Sequence, residues 1–371
     1  MPSTRHALAL LLLLPIAVLS TRSRAEGHPP VAAIPADGIP PNNFDVQQVA
    51  PGVYAVIRRE PAGLWFDANN VFIIGDDGVI VVDSNVSPSS TREVLAALRR
   101  ITDRPVTHVV NTHWHEDHIL GNRVYLDAFP DVQFVAHATT DEDLRTVGAS
   151  NRRGSLQSGG SFAAQLRELV RTGRNLAGQE ITDEERTSYL KDASLVERYL
   201  RDARDFEPVT PTITVERRLV LRRGGRTVEI LHLGAGHTRA DLVVHLPAER
   251  IAITGDLVVW PVPLVGSTSF PGAFAATLRR VLDLRPAIIV PGHGPVLRDD
   301  AYVRTVADLL TSIRDQTAAA VARGETLEQA RRSVNLDDFR AAIAGDSQLR
   351  RFIFYAYVTL PGVEAAYREL N

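Results

Sequence analysis

The sequence of 371 residues contains no cysteine. Disulfides therefore cannot hold the fold, which must come from core burial and from any metal the chain binds. The same absence leaves no attachment site of the bacterial lipoprotein kind. Lysine is almost absent as well, because Lys191 is the one lysine among 41 Lys and Arg residues. We interpret the arginine excess as a codon-composition bias and assign no function to it.

Long hydrophobic runs are missing beyond the N-terminus. Arg5 and His6 precede an apolar run over residues 7–19, and Ser23-Arg24-Ala25 forms a small-x-small cleavage site. The run is too short to span a bilayer, so residues 1–25 are predicted to be a signal peptide, although an uncleaved N-terminus is an alternative. We expect a periplasmic or secreted protein with no stable membrane insertion after signal cleavage.

Positive charge is not in excess either. The formal net charge is -3, and loss of the three arginines in residues 1–25 changes it to -3 - 3 = -6. A mildly acidic chain is a poor fit to a nucleic-acid binder, which usually needs a basic face. The remaining length is ample for a sizeable core, and we expect one domain with insertions and no nucleic-acid partner.

The densest group of metal-ligand side chains is His113-Trp114-His115-Glu116-Asp117-His118. It follows Thr107 to Val110, a β-branched run that predicts a buried strand ending at Asn111. On a helix, residues two apart point about 200° apart, whereas in an extended loop they lie on the same side. A strand-end loop would therefore aim His113 and His115 at one ion and leave Asp117 and His118 turned towards a second. A solvated face is the alternative, but such a cluster is difficult to satisfy without a cation.

This His-x-His-x-Asp-His pattern resembles the signature of the metallo-β-lactamase superfamily, here in an exported member. The resemblance extends from about Val53 to Gly294, because further landmarks follow in order: Asp83 at a strand end, Gly236-His237-Thr238, Gly255-Asp256 and Gly292-His293-Gly294. It implies an α/β fold, a four-layer αββα sandwich. We place this domain at residues 45–300, after an extended leader at 26–44.

Local patterns predict the elements of this sandwich. A capping box at Ser90 to Glu93 predicts the start of the first helix. The predicted strands are Val53 to Arg58, Val71 to Ile74, Val79 to Asp83, Thr107 to Asn111, Gln133 to His137, Thr214 to Leu221, Thr227 to His232, Leu242 to Leu246, Ile251 to Thr254 and Ala287 to Val290. Helix Phe274 to Leu282 lies between the last two of these strands.

Two regions depart from the alternation of strands and helices. Residues 148–210 predict a helical insertion, with an amphipathic segment from Phe162 to Thr172 and a helix capped at Thr182. A packing scaffold is the favoured role, and a lid or a partner surface is the alternative. Residues 301–371 predict a C-terminal helical extension in which Pro361 breaks the last segment. An oligomer could form through these C-terminal helices.

The family resemblance implies the division of the ligands. One metal would be held by His113, His115 and His237, the second by Asp117, His118 and His293, and Asp256 would bridge them. Three protein ligands per ion leave open positions for water, which is typical of catalytic metal. The cofactors implied are two Zn2+ per chain, although iron is also possible.

A metal-bound hydroxide is the expected nucleophile. Asp117 is the candidate catalytic residue, which would orient that hydroxide and carry a proton to the leaving group. Asp83 is expected to fix the ligand loop through hydrogen bonds, with a simple strand-end cap as the alternative. Glu116 is expected to be solvated, and His232 is a candidate supporting contact for His237. The remaining strand histidines, at 108, 137 and 245, are interpreted as packed or surface side chains.

Two apolar stretches could line the substrate site. Residues 62–66 include Trp65 and resemble the mobile flap of some family members, with a core position for Trp65 as the alternative. Residues 260–263, beginning at Trp260, could form the opposite wall. Neither stretch identifies a substrate.

The functional hypothesis is a dinuclear zinc metallohydrolase that cleaves a carbonyl-type bond in a small-molecule substrate: a thioester, ester, lactone or β-lactam. A β-lactamase proper is an alternative that export keeps open, although Asp256 and the lack of cysteine favour other hydrolases. An iron-dependent oxygenase of the persulfide dioxygenase type is a second alternative, and a non-catalytic metal-binding module is a third.

Overall fold

A computed structural model describes residues 42–202, 208–223 and 225–371. The predicted signal peptide, 1–25, and nearly all of the predicted leader, 26–44, lie outside the described residues. The strands are β1 Phe44–Ala50, β2 Val53–Arg58, β3 Asn70–Gly75, β4 Gly78–Val82, β5 Val106–Val110, β6 Gln133–His137, β7 Ile213–Val215, β8 Arg218–Arg223, β9 Arg226–Leu231, β10 Val243–Leu246, β11 Ile251–Val259 and β12 Ile288–His293.

The described helices fall into three groups: those of the sandwich, those of the insertion and those of the C-terminal region. They are α1 Pro88–Arg99, α2 Glu116–Ile119, α3 Asn122–Ala128, α4 Thr140–Asp143, α5 Ala149–Thr172, α6 Asp183–Asp202, α7 Pro271–Asp283, α8 Ala301–Ala322, α9 Leu327–Ser333, α10 Asp337–Ala344, α11 Gln348–Phe354 and α12 Leu360–Leu370. Among the described residues, no helix combines the length and apolar character that a membrane crossing requires.

The first sheet has the strand order β1-β2-β3-β4-β5-β6-β7. Strands β4 to β7 pair in parallel, while β1 to β4 form an antiparallel series. Every residue of β4 is buried, as expected for a strand whose two faces are both covered. The parallel β4 and β5 bring Asp83 and the histidine loop to the same edge, because the carboxyl ends of parallel strands coincide.

The second sheet has the order β12-β11-β10-β9-β8. The predicted single strand Thr214 to Leu221 was wrong, because the chain crosses here from one sheet to the other. β7 pairs with β6 in the first sheet, and β8 pairs with β9 in the second. A run of strand-forming residues does not reveal such a crossing, since local propensity says nothing about the partner strand.

The two sheets pack face to face around an apolar core. Val53, Val110 and Val135 of the first sheet meet Ile230 and Val244 of the second. The outer face of the first sheet is covered by α1 and α3, whose buried side chains include Leu98 and Tyr125. The outer face of the second is covered mainly by α7, α8 and α12. This order of layers confirms the predicted four-layer αββα sandwich.

The helical insertion consists mainly of α5 and α6. Helix α5 begins at Ala149, well before the amphipathic segment predicted from Phe162. Gly159 lies where α5 approaches α6, and a Cβ at this position would lie 3.1 Å from a side-chain methyl of Val196. Helix α6 begins as predicted, because Thr182 and Glu185 form reciprocal capping hydrogen bonds.

The C-terminal helices are part of the main core. Val306, Leu310 and Ile313 of α8 and Phe354 of α11 are buried in the cluster that covers the second sheet. The predicted break at Pro361 was wrong, because this proline lies in the first turn of α12, where no amide donor is needed. A π-helical segment, Tyr355–Thr359, joins α11 to α12.

One local prediction near the start of the sandwich was wrong, and one strand was not predicted. Ser90 does not cap α1: the cap is Ser87, whose side chain accepts a hydrogen bond from the Ser90 amide. Pro88 occupies the first turn, where its fixed φ suits a helix start. Strand β1 was missed because four of its seven residues are exposed and its pattern does not alternate.

Candidate metal centre

The structure brings together all seven side chains expected to be metal ligands. They form two groups whose ligand atoms lie within 4.8 Å of one another: His113, His115, His237 and Asp256 in the first, and Asp117, His118, His293 and Asp256 in the second. The loop with His113 and His115 follows β5 and runs into α2, which carries Asp117 and His118. Asp256 lies within β11, and His293 is the last residue of β12. The ligands therefore come from both sheets.

Asp256 lies between the two groups and directs one oxygen to each. Its Oδ2 is 3.8 Å from Nε2 of His113 and 3.7 Å from Nε2 of His237. Its Oδ1 is 3.2 Å from Nε2 of His118 and 3.3 Å from Nε2 of His293. This carboxylate has the placement that a ligand shared by two ions requires.

The remaining contacts close each group. Nδ1 of His115 is 2.9 Å from Nε2 of His237. In the second group, Oδ2 of Asp117 is 3.1 Å from Nε2 of His293 and 3.3 Å from Nε2 of His118. The side chain of Asp117 is 18% exposed, against 2% for Asp256, so Asp117 is the carboxylate that faces outwards.

Several of these buried atoms have no hydrogen-bond partner. They are Nε2 of His113, His118 and His293 and Oδ1 of Asp256. Buried polar atoms are almost always satisfied in native proteins, so unpartnered ligand atoms gathered in these two groups indicate positions for an ion or water. Imidazole nitrogens and carboxylate oxygens are the donor set that zinc and iron accept. The residues present therefore fit a metal pair.

The two groups differ in charge. Burial lowers the pKa of His115 to about 3 and holds the pKa of His113 well below its usual range. Burial opposes charge on His293 as well, yet the Asp256 and Asp117 carboxylates raise its pKa to about 9. The pKa of Asp256 is held well below its usual range because His293 and His118 outweigh its burial. The second group is thus a buried, carboxylate-rich position that favours positive charge.

Asp83 fixes the ligand loop, as predicted. Its Oδ1 accepts a hydrogen bond from the Thr112 amide at 2.7 Å, and its Oδ2 accepts one from the Thr112 hydroxyl at 2.8 Å. Nδ1 of His118 lies 2.8 Å from the same Oδ2. Because a carboxylate can only accept, this contact places the proton of His118 on Nδ1 and turns Nε2 towards the site.

His237 is held by a backbone carbonyl. Its Nδ1 donates to the carbonyl of Leu264 at 3.0 Å, which leaves Nε2 for the centre. The loop is closed by Asp241, a buried residue that accepts from both the amide and the hydroxyl of Thr238. His232 was only a candidate for supporting His237, and its ring nitrogen contacts the Asp241 carbonyl while its ring packs on His137.

Gly292 makes the close approach of β11 and β12 possible. A Cβ at this position would lie 2.0 Å from Oδ1 of Asp256 and 2.8 Å from the backbone carbon of Gly255. Only glycine leaves room there for the shared carboxylate. The glycine that precedes His293 is therefore required by the geometry of the site.

A pocket of about 180 Å³ opens over the centre. Apolar side chains form most of its lining: Leu64, Trp65, Phe66, Val86, Trp114 and Leu264. His115, Glu116, Asp117, Asn151 and Asp256 supply its polar part. Trp65 lines the pocket, whereas the lining includes Leu264 and not the expected Trp260. Trp260 instead lies under the guanidinium of Arg350, 6.0 Å from it.

Glu116 was expected to be solvated, and this was wrong. Its side chain is 16% exposed and pairs with Arg152 of α5 at 2.7 Å. Its other oxygen accepts a hydrogen bond from the hydroxyl of Tyr199 in α6 at 2.8 Å. Both partners belong to the insertion, at long sequence separation, so no local signal revealed them.

The discounted histidines contact other polar groups. His108 contacts the hydroxyl of Thr107, His137 that of Thr139, and His245 lies 3.0 Å from Glu229. The structure also adds polar residues near the pocket that sequence reasoning did not single out: Asn151, Asp192 and Tyr357. The presence of a single lysine, Lys191, could have singled out this position, but the scarcity of lysine was interpreted as a codon bias.

Comparison with known proteins defines the class of protein. The family model described as the metallo-beta-lactamase superfamily matches residues 64–293, which is more than half of the chain. The chain therefore belongs to this superfamily, and the predicted resemblance is confirmed.

Individual relatives are more distant. The linear primary-alkylsulfatase of a Pseudomonas species is 25% identical over 275 residues, which cover 70% of this chain and 48% of that protein. An atrochrysone carboxyl ACP thioesterase from Claviceps purpurea is 21% identical over 307 residues, covering 82% of this chain and 75% of that protein. The chain thus spans about half the length of the alkylsulfatase.

Among solved structures, the inverting sec-alkylsulfatase Pisa1 from a Pseudomonas species matches with a TM-score of 0.61 at 17% identity. The match covers 88% of this chain and 50% of that chain. Coverage of this extent reaches beyond the family match, which ends at residue 293, into the C-terminal helices. The likeness is one of fold.

Proposed function

We propose that the protein is a dinuclear zinc hydrolase that cleaves an ester-type bond in a small molecule with an apolar portion. The observation that carries the proposal is the pair of ligand groups that share Asp256, one oxygen of which faces each group. His113, His115 and His237 would hold one ion, and Asp117, His118 and His293 the other. Two bound ions would lower the pKa of a shared water and polarise the oxygen of the scissile group.

Each of the chain's own residues has a defined task in this proposal. Asp117 is the outward-facing carboxylate, and its oxygen can orient the attacking water and then deliver a proton to the leaving group. The hydrogen bonds of Asp83 and Leu264 keep the Nε2 atoms of His118 and His237 turned inwards. Apolar side chains around the pocket exclude water and accept the substrate's non-polar part.

The substrate class can be tested on the full chain loaded with zinc. The panel consists of p-nitrophenyl acyl esters, an acyl thioester, a lactone and a nitrocefin-type lactam, with metal content measured in the same sample. We expect two zinc ions per chain and turnover of the ester or thioester. One iron without zinc would instead indicate the oxygenase alternative. Zinc-loaded protein that binds ligands without turning any over would indicate a metal-binding module.

Sulfate ester hydrolysis is a second candidate. The specific observation in its favour is the alkylsulfatase relative, which covers 70% of this chain. An apolar pocket over a cationic centre also suits an alkyl chain that ends in an anion. Decyl sulfate is the discriminating substrate: released sulfate identifies this activity, whereas cleavage of carboxylic esters alone excludes it.

We also propose that the protein acts after export, in the periplasm or outside the cell. The apolar run over residues 7–19 and the small-x-small site before residue 26 support this location. Expression of the full sequence in a bacterium, followed by N-terminal sequencing of the periplasmic product, tests it. A cytoplasmic product that retains Met1 would contradict the proposal.

A further inference from the structure

Three consecutive residues, Leu64, Trp65 and Phe66, form one apolar wall of the pocket. The Phe66 ring lies 5.0 Å from the ring of His293, so this wall directly adjoins the metal centre. A shift of the wall would alter the space above the ions. What holds the wall therefore decides the dimensions of the substrate pocket.

The backbone of the wall is bound by the insertion helix α6. The carboxylate of Asp192 accepts hydrogen bonds from the amide of Leu64 at 2.8 Å and from the amide of Trp65 at 3.1 Å. Nζ of Lys191 donates to the Trp65 carbonyl at 2.6 Å and lies 5.3 Å from the centre of the Phe66 ring. All three wall residues are thus engaged by two adjacent residues of α6.

Lys191 and Asp192 form an ion pair at 2.6 Å, and both side chains are 0% exposed. A buried ion pair contributes little net stability, because the loss of hydration offsets most of the attraction between the charges. Such a pair persists where its charges do something that apolar residues cannot. Here the charged groups satisfy backbone groups of a non-regular segment, which has no strand partner to do so.

The backbone at Gly63 leaves little free space around this pair. A Cβ on Gly63 would lie 2.3 Å from Nζ of Lys191 and 2.5 Å from Oδ1 of Asp192, so the backbone passes directly over the pair. An ammonium is a more compact cation than the planar guanidinium of an arginine. The one lysine in a chain with 41 Lys and Arg residues stands where the backbone passes this close to the charge.

The C-terminal region holds the same wall from another side. The hydroxyl of Tyr357, in the π-helical segment, donates to the Leu64 carbonyl at 2.6 Å. The Tyr357 ring also lies 6.0 Å from the Phe66 ring. The wall is therefore bound to two parts of the chain that lie far from it in sequence.

We propose that Asp192 and Lys191 are positioning residues that make the helical insertion set the width of the substrate pocket. Residues 64–66 then act as a fixed wall that selects substrates by the size of their apolar portion. The idea rests on the proposed hydrolase function and adds to it the element that determines specificity. It replaces the expectation of a mobile flap with a wall held by the insertion.

The test compares zinc-loaded wild type with Asp192→Asn, which weakens the acceptor for two amides without changing the side chain's size. For p-nitrophenyl octanoate we expect KM to rise about 10-fold, with kcat nearly unchanged. A 10-fold change corresponds to the free energy of about one charge-assisted hydrogen bond. For the acetate ester, KM should change little, so discrimination between the two esters falls. Hydrogen exchange of the amides of residues 64–66 should accelerate by a similar factor.

Two further variants keep the test decisive. Glu197→Gln is the matched control, because it breaks an ion pair with Arg167 between α5 and α6 at a half-exposed position, and it should change neither readout. Tyr357→Phe removes one hydroxyl and no charge, so it decides the question if Asp192→Asn does not fold. Tyr357→Phe should shift exchange and KM in the same direction by a smaller factor.

If folded Asp192→Asn had the exchange rates and the KM ratio of the wild type, the proposal would be overturned. If Asp192→Asn does not fold, the same values in Tyr357→Phe would overturn it. Failure of the proposed function gives a different result. In that case the wild type hydrolyses none of the esters, while amide exchange still reports whether the pair holds the wall.

Discussion

At the scale of single residues, the candidate metal centre depends on side chains outside its ligand set. Asp83 has a positive φ of 59°, a conformation that asparagine tolerates better than most residues. It accepts hydrogen bonds from Thr112 while orienting His118. A substitution that preserves shape and removes charge therefore isolates what this carboxylate contributes.

Asp83→Asn is expected to weaken zinc affinity about 10- to 100-fold, because a carboxylate behind a ligating imidazole orients the ring and raises its basicity. Competition with a chromophoric chelator measures this affinity. Asp45→Asn, at a position whose side chain is 51% exposed, is the control and should bind zinc as the wild type does. Equal affinity in both variants would show that Asp83 is only a strand-end cap.

A second residue-scale prediction concerns pH and His137. Burial, followed by the neighbouring His232, lowers the pKa of His137 to about 4. Below about pH 6.5 the unfolded chain takes up a proton that the folded protein refuses, so stability falls as the pH falls from there towards 4. Between pH 8 and pH 5, the wild type should lose about 1 to 2 kcal/mol more than His137→Asn, which cannot titrate.

Urea unfolding of the two proteins at both pH values checks the difference. Asparagine keeps an acceptor near the position of Nδ1, which receives the Thr139 amide at 3.2 Å. At pH 8 neither side chain is protonated, so that measurement serves as the internal reference. A pH dependence identical in both proteins would contradict the assignment.

At the scale of elements, the site depends on how closely β11 and β12 approach. Gly292→Ala would place a methyl group against Asp256 and the backbone of β11. We expect displacement of the shared carboxylate, loss of bound zinc and a destabilisation of about 1 to 3 kcal/mol from overpacking. Zinc content and thermal unfolding of the purified variant measure the two effects.

Gly266→Ala is the matched control for this experiment, because a Cβ at Gly266 meets nothing within 4 Å and its φ is not in the left-handed region. This variant should retain zinc and stability. If Gly292→Ala also bound zinc normally, Asp256 would not need its present position, and its role as the shared ligand would be in doubt.

At the scale of the whole molecule, the family match ends at residue 293, but the core does not. Buried side chains of α8 and α11, such as Leu309, Leu310, Ile313 and Phe354, belong to the cluster on the second sheet. Each buried side chain of this kind is worth about 1.5 to 3 kcal/mol, and several together reach the total stability of a domain.

Truncation after residue 300 is therefore expected to abolish soluble, folded protein. Circular dichroism and size-exclusion chromatography of the product measure this outcome. Removal of only Leu370 and Asn371, where Leu370 is 42% exposed, is the control and should leave folding unchanged. A folded, soluble truncated protein would show that the C-terminal helices are an independent addition. The same chromatography on the intact chain tests the predicted oligomer.

Much of the fold and of the candidate site could be predicted from the sequence, because both depend on local patterns. Strand-end placement of His113 and Asp83 follows from β-branched runs, and a glycine directly precedes each of His237, Asp256 and His293. The crossing between β7 and β8 and the roles of Glu116 and Asp192 could not be predicted. Their partners lie far away in sequence, and periodicity carries no information about such contacts.

The sequence by itself determined which chemistry the chain can perform, because residue type and spacing decide what a side chain can ligate, donate or accept. Only the tertiary structure decided that Asp256 lies between two histidine groups, and that the insertion and the C-terminal helices hold the wall of the pocket. The physical reason is that ligand type is a local property, whereas distances between remote residues depend on packing of the whole core.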